Sequence, residues 1–258
     1  MSTTTDKDNL NPVQKILVSQ PKPASDKSPY FLLEKKYGIQ IDFRPFIQIE
    51  PVGYKEFRKQ KVDILAHTAV IFTSRNAVDH FFKLCKDLKL EVPADMKYFC
   101  ISEQTSNYLQ KYIQVRKRKV FVGQRTALDL IEILKKHKNE KYIFPCSDIR
   151  KDDIPNFLDD NDFTWSEAII YRTVASDLSD LSDVNYDIIA FFSPSGINSL
   201  FVNFPEFKQN NTRIAAFGPT TAKAVKDANL SLNIEAPLPN APSMTGALEL
   251  YVKKANGL

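Results

Sequence analysis

Glycine is scarce here, seven residues in 258, too few to supply the glycine-rich loops that wrap a nucleotide. The spacings GxGxxG, GxxxxGK[ST] and GxSxG are all missing, which disfavours dinucleotide, P-loop and hydrolase-elbow chemistry. No apolar run approaches the roughly 18 residues a membrane span needs, and the start, "MSTTTDKDNLNP", is polar and acidic rather than a signal peptide. A cytoplasmic protein with no membrane partner is expected. Cysteine is limited to Cys85, Cys100 and Cys146, an odd number, widely spaced and set among apolar residues, as for buried thiols in a reducing compartment. The three histidines, His67, His80 and His137, form no HExxH and no paired spacing with those cysteines, so no metal and no other cofactor is expected.

What is present is a globular composition, 43% apolar and 26% charged, which excludes wholesale disorder. A chain of this length is better divided into two medium domains than built as one. Short apolar runs alternate with amphipathic ones almost throughout: "AVIFTS" into "RNAVDHFFKLCKDL", "KYFCIS" into "EQTSNYLQKYI", "KVFVG" into "TALDLIEILKKH", "KYIFPCS" into "DIRKDDIPNFL". After Asp187 the pattern resumes with "DIIAFFS" into "PSGINSLFVNF", then "TRIAAFGPTTAKAV", "NIEA" and "SMTGALELYVKKA". Strands followed by helices predict an α/β fold with mainly parallel sheets flanked by helices.

Two segments break the rhythm, "IQIDFRPFIQIEP" and "WSEAIIYRTV". Each alternates apolar and polar residues with no helix after it, which predicts a ribbon rather than a packed sheet strand. If the two pair, they are the connections of a chain that leaves one domain, builds a second and returns. The expected division is 1–43 plus 174–258 as a discontinuous domain, 51–166 as the second, and 44–50 with 167–173 as hinge strands. An internal echo supports two similar domains: "IFTSRNAVDHFF" superposes on "FFSPSGINSLF" with Phe72 on Phe192 and Thr73 on Ser193, and "FCISEQTSNYL" on "AAFGPTTAKAV" with Ser102 on Gly218 and Thr105 on Thr221.

Open α/β sheets bind ligands at the carboxyl ends of their strands, and helix N-termini there offer free N–H groups and partial positive charge to anions. The turns in question predict helix N-termini after Ser74, Ser102, Ser147, Ser195 and Gly218, with the hydroxyls of Thr73, Ser193, Thr220 and Thr221 beside them. One helix end contributes about 0.3–1 kcal/mol to a surface anion, so several together suit a ligand with many carboxylates or phosphates. The bland alternative for Thr220 or Thr221, as for Thr73 and Ser74, is helix capping. Lys22, Arg75, Arg150, Lys151 and Lys223 lie near the turns and add long-range attraction, although a solvated surface charge is the commoner role. The basic run "VRKRKV", 115–120, lacks interleaved aromatics or a second basic stretch and reads as a solvated loop leading into a strand at Val120.

The stretches "ILVSQP", "IFTSRNAV", "EQTSNYL", "EAIIYRT", "FFSPSGINSLF", "AAFGPTTAKAV" and "PSMTGALELYV", in this order and approximate spacing, resemble the uroporphyrinogen-III synthase family. The resemblance implies two α/β domains joined by a β-ribbon, and conversion of hydroxymethylbilane, a linear tetrapyrrole with eight carboxylates, into the cyclic type III isomer with loss of water and inversion of the last pyrrole ring. The substrate supplies nucleophile and electron push, so positioning is the protein's main task. Tyr171 occupies the family's hinge tyrosine and is the candidate for assisting hydroxyl departure, since a phenol is protonated at neutral pH and can donate; packing between domains is its bland alternative. The substrate-binding set is Thr73, Ser74, Ser102, Thr105, Ser147, Arg150, Ser193, Ser195, Gly196, Gly218, Thr220 and Thr221. A monomer is expected, with no cofactor and no nucleic acid. Gln20 stands where the family commonly has arginine and Ser102 where it has glycine, which removes a permanent bidentate donor at residue 20. Those departures leave open a binding protein for a polyanionic ligand that has lost catalysis, and "VRKRKV" alone leaves open a nucleic-acid binder. Product analysis with fresh bilane and salt-dependent oligonucleotide binding separate the three.

Overall fold

The structure, a computed structural model, describes residues 11–114, 116–182 and 185–258; the polar start, 1–10, and Val115 of the basic run lie outside them. The chain divides into two compact units. One takes in the described residues up to Gln48 together with Val174–Leu258, and the other is Ile49–Thr173.

In the first unit the chain runs β1 (Lys15–Val18), α1 (Pro29–Tyr37) and β2 (Gln40–Phe43) before it leaves. The second unit holds β3 (Ile47–Pro51), whose first residues belong to the exit, then α2 (Tyr54–Phe57), β4 (Ala69–Phe72), α3 (Arg75–Asp87), β5 (Lys97–Cys100), α4 (Glu103–Leu109), β6 (Val120–Val122), α5 (Ala127–Leu134), β7 (Lys141–Ser147), α6 (Asp153–Asp160) and β8 (Thr164–Ala175). Back in the first unit come β9 (Ile188–Phe191), α7 (Pro194–Asn203), β10 (Arg213–Phe217), α8 (Pro219–Asp227), β11 (Leu232–Ala236) and α9 (Met244–Ala255).

The first sheet has the order β11-β10-β9-β1-β2, parallel at every pairing. Successive strand residues serve opposite faces: Ile16, Val18, Ile188, Ala190 and Ala215 pack with Leu33 of α1 and Leu248 and Val252 of α9, while Leu17, Ile189, Phe191, Ile214 and Ala216 pack with Ile197 and Leu200 of α7 and Val225 of α8. The second sheet has the order β3-β8-β7-β4-β5-β6, parallel from β8 to β6. One of its faces is covered by Ala77, Phe81 and Leu84 of α3 and Leu109 of α4, the other by Leu130 and Leu134 of α5 and Ile154 and Leu158 of α6. This is an α/β fold with mainly parallel sheets flanked by helices, as the alternating pattern predicts. The strands of "IFTSRN" and "FFSPSG" lie in different sheets. All three cysteines are free and buried.

Several expectations need correction. "IQIDFRPFIQIEP" is not one ribbon: Gln40–Phe43 is a packed strand paired with β1 along its length, and only Ile47–Pro51 joins β8. "WSEAIIYRTV" is likewise a packed strand, paired with β7 from Thr164 to Tyr171. Its alternation misleads because both faces are covered: Ala168 and Ile170 enter one core, while Trp165 and Ile169 pack on the other. Beyond the sheet, Val52 N–H donates to Ile170 O and Ser176 N–H to Phe46 O, so β3 and β8 run antiparallel. The helix expected directly after Ser147 begins only at Asp153. Pro155 lacks an N–H and is tolerated only in a first turn, which pins the start close in front of it. α7 is capped by Ser193 and starts at Pro194, so Ser195 lies inside the first turn rather than before it. The echo is also displaced by one residue in its first half, since the helix caps that correspond are Ser74 and Ser193. In its second half, Ser102 and Gly218 are both N-caps as aligned.

Candidate active site

In the second unit Tyr171 sits near the carboxyl end of β8, 7% exposed. Its phenol oxygen lies 3.3 Å from Ser74 Oγ. Ser74 is the N-cap of α3, accepting from Ala77 N–H at 3.0 Å, so the turn after β4 delivers the serine to the tyrosine. The ring of His80, almost two turns further along α3, stacks on the Tyr171 ring at 5.0 Å between centroids and 25° between planes. Burial raises the Tyr171 phenol above its ordinary value, against the Ser74 hydrogen bond, with Cys146 and Asp148 adding to the rise. At neutral pH it is therefore a protonated donor. Burial lowers the His80 imidazole, with Lys83 helping and Asp79 opposing, and its Nδ1 is buried without a hydrogen-bond partner among the described residues. Sequence reasoning considered His80 only as a metal ligand. Its signal was a polar residue three positions after Ala77 and one before Phe81, on the edge of the apolar face of α3.

The other residues of the predicted set in this unit are held in different ways. Thr73 precedes the cap and is half-buried. Ser102 caps α4 by accepting from Thr105 N–H at 3.4 Å, and its Oγ lies 3.3 Å from Thr105 Oγ1, so these two satisfy each other. Beside them Ser102, Gln104, Gln124 and Arg125 line an open depression closed below by Gly123, where a Cβ would stand 2.9 Å from the Ile101 carbonyl oxygen; no other residue fits so close a backbone approach. Ser147 is buried and donates to Asp148 Oδ1 at 2.8 Å. Arg150 is bound to Glu167 and Asp152, so its charge is already answered. Arg75 lies over the Tyr108 ring at 5.6 Å, and Arg172 of the Tyr-Arg-Thr motif is paired with Glu56.

In the first unit Ser193 accepts from Gly196 N–H at 3.2 Å, which occupies it as the cap of α7. Ser195 is half-buried, and Gly196 packs near Phe191. The start of α8 differs. Neither Thr220 nor Thr221 caps it: the N-cap is Gly218, φ 86° and ψ 155°, with no side-chain cap, followed by Pro219. Gly218 N–H donates to Ala236 O at 2.6 Å, Thr220 is exposed, and Thr221 is 1% exposed. No side chain caps the first turn of α8, and since Pro219 carries no N–H, the N–H groups of Thr220 and Thr221 are the ones it offers to an anion. A capped start that sequence reasoning passed over is Ser243, which accepts from Gly246 N–H at 3.1 Å ahead of α9. Of the charged residues near the turns, Lys223 is paired with Asp227 at 2.6 Å, Lys22 lies over the Phe31 ring at 5.7 Å, and Lys151 is exposed, as is the neutral Gln20. Among the described residues no group of histidine, cysteine or carboxylate side chains could hold a metal ion, and no helix is long and apolar enough to cross a membrane.

A family model described as uroporphyrinogen-III synthase HemD matches residues 32–246. The chain is 27% identical over 229 residues to the porphyrin biosynthesis protein HemD of Ruminiclostridium josui, covering 84% of this chain and 44% of that protein. It is 23% identical over 257 residues to the uroporphyrinogen-III synthase of Chlorobaculum parvum, covering 92% and 99%. It therefore spans less than half the length of the first relative and nearly all of the second. In fold it is similar to the crystal structure of uroporphyrinogen-III synthetase from Helicobacter pylori, with a TM-score of 0.60 at 18% identity over 93% of this chain and 99% of that one. A mutant uroporphyrinogen III synthase from Thermus thermophilus gives a TM-score of 0.54 at 17% identity, covering 95% and 99%. With the family model covering most of its length, the chain belongs to the uroporphyrinogen-III synthase family.

Proposed function

We propose that this protein is a cyclising lyase of tetrapyrrole biosynthesis, converting hydroxymethylbilane to uroporphyrinogen III, and that Tyr171 is its proton donor. The burial of a protonated phenol at the end of a sheet, with its oxygen next to a hydroxyl and its ring face covered, carries the reading. In the step it assists, the carbon–oxygen bond of the terminal hydroxymethyl group breaks with its electron pair going to oxygen. The phenol proton goes to that oxygen, water departs, and the pyrrole nitrogen supplies the electrons that stabilise the remaining carbon. That carbon bonds to the already substituted α-carbon of the last pyrrole. The older bond from this α-carbon to its methylene bridge breaks and re-forms at the free α-carbon, which inverts the ring, and rearomatisation releases one proton that returns to the phenolate. No metal or redox partner enters this balance.

The remaining hydroxyl-rich turns of each unit receive substrate carboxylates. The open helix end at Gly218–Thr221 is the strongest of these, because its N–H groups are not answered by a side chain. Arg150, Ser102 and Ser193 contribute less directly, being engaged with Glu167, Thr105 and Gly196. In this reading 1–43 plus 174–258 and 51–166 act as the two domains, and the enzyme works as a cytoplasmic monomer without cofactor. The test is incubation with freshly generated hydroxymethylbilane and separation of the type I and type III products. Type III in excess of the uncatalysed type I supports the reading. Tight binding of the bilane with only type I formed would make the protein a binder that has lost catalysis.

A further inference from the structure

We propose that Ser74 and His80, both carried by α3, are positioning residues for Tyr171: the serine hydroxyl donates to the phenol oxygen and the imidazole ring braces the phenol from its face. The inference rests on the proton-donor reading of Tyr171 and gives Ser74 a task other than binding substrate.

Ser74 Oγ accepts from Ala77 N–H at 3.0 Å, which holds the hydroxyl 3.3 Å from the phenol oxygen; either oxygen can donate across that distance, and in the proposal the serine does. A phenol oxygen that accepts there keeps its own proton for the departing hydroxyl, and the same bond stabilises the phenolate once that proton has gone. His80 restricts the ring about its long axis through the stacked contact. Its Nδ1 finds no partner among the described residues, and its contact with Tyr171 is made by the ring face. The groups facing Tyr171 are thus Ser74 and His80 from α3, and Cys146 and Asp148 from the end of β7 and the residue after it.

A double-mutant cycle on the intact protein tests this. Ser74→Ala is expected to lower kcat for type III formation roughly tenfold, with KM little changed. In the Tyr171→Phe background the same change is expected to cost nothing further. Ser74→Asp keeps the helix cap but has no hydroxyl proton, so it is expected to melt like the parent and still lose rate, while Ser74→Thr restores it. His80→Phe is expected to retain more activity than His80→Ala. Independently of turnover, the Tyr171 phenol, followed by NMR with ring-labelled tyrosine and assigned with Tyr171→Phe, is expected to titrate at higher pH in Ser74→Ala and Ser74→Asp than in the parent. Equal losses from Ser74→Ala in both backgrounds would make Ser74 a substrate contact and overturn the proposal. An unmoved phenol titration would overturn it as well. If Tyr171→Phe turns out fully active, the proton-donor reading falls, and the titration alone then decides whether Ser74 and His80 hold the phenol.

Discussion

At the scale of single residues, what separates the hydroxyls in this chain is what each already holds. Ser74, Ser102, Ser193 and Ser243 accept from backbone N–H groups three residues on, whereas Thr220 is exposed and free of that duty. Tyr171→Phe removes one hydrogen bond to a leaving oxygen, about 1.5–3 kcal/mol. It should therefore slow type III formation roughly ten- to a hundredfold while leaving a measurable rate, read from product ratio and rate together. Thr220→Ala and Thr221→Ala should differ from each other. Thr221 is buried, and its loss should appear mainly in the thermal melt. Thr220→Ala should leave the melt unchanged and raise KM for the carboxylated substrate. Loss of stability in both with KM unchanged in both would remove this turn from the site.

At the scale of the element, the start of α8 is the sharpest case. Gly218 has φ 86° and ψ 155°, a conformation nearly restricted to glycine. A Cβ there would meet nothing within 4 Å, so the cost of Gly218→Ala is torsional alone. Denaturant unfolding should show a loss of about 1–3 kcal/mol; no loss would mean the turn relaxes without cost. Ser193→Ala, which strips a helix of its cap, should cost about 1 kcal/mol, and Ser193→Gly only a few tenths. The strand-to-helix rhythm was legible because each sheet strand is a short apolar run. α1 was not singled out, although Pro29 at its first turn and Gly38 in the left-handed region after it bracket the helix. Its face is weak, with Leu33 buried but Leu32 exposed, so periodicity gave little signal. The start of α6 is less legible, because the run after Ser147 has helical character throughout and only Pro155, which fits a first turn, marks where the helix begins.

At the scale of the whole molecule, the core of the second unit, which holds all three cysteines, gives a dependence on alkali. Burial pushes the thiols of Cys85, Cys100 and Cys146 from 9.0 up to about 12. A raised pKa in the folded state means its contribution is intact below the unfolded value and is lost as pH climbs from about 9 towards 12. Each thiol can cost at most about 1.4 kcal/mol per pH unit in that window. Urea unfolding at pH 8 and pH 10 should show the protein weaker at pH 10, and Cys85→Ala should flatten that slope; an unchanged slope would show that other groups set it. The sequence by itself determined the class of fold, the two sets of strand-to-helix turns and the family, because hydrophobic period and turn chemistry are local properties written in adjacent residues. It did not determine that Gln40–Phe43 and Thr164–Tyr171 are packed strands, since alternation cannot report what covers the second face. Nor did it reveal that Arg150 is spent on Glu167 and Asp152, or that Ser74, His80 and Tyr171 meet. Those partners lie up to 97 residues apart in the chain, and only folding of the sheet brings β8 against α3.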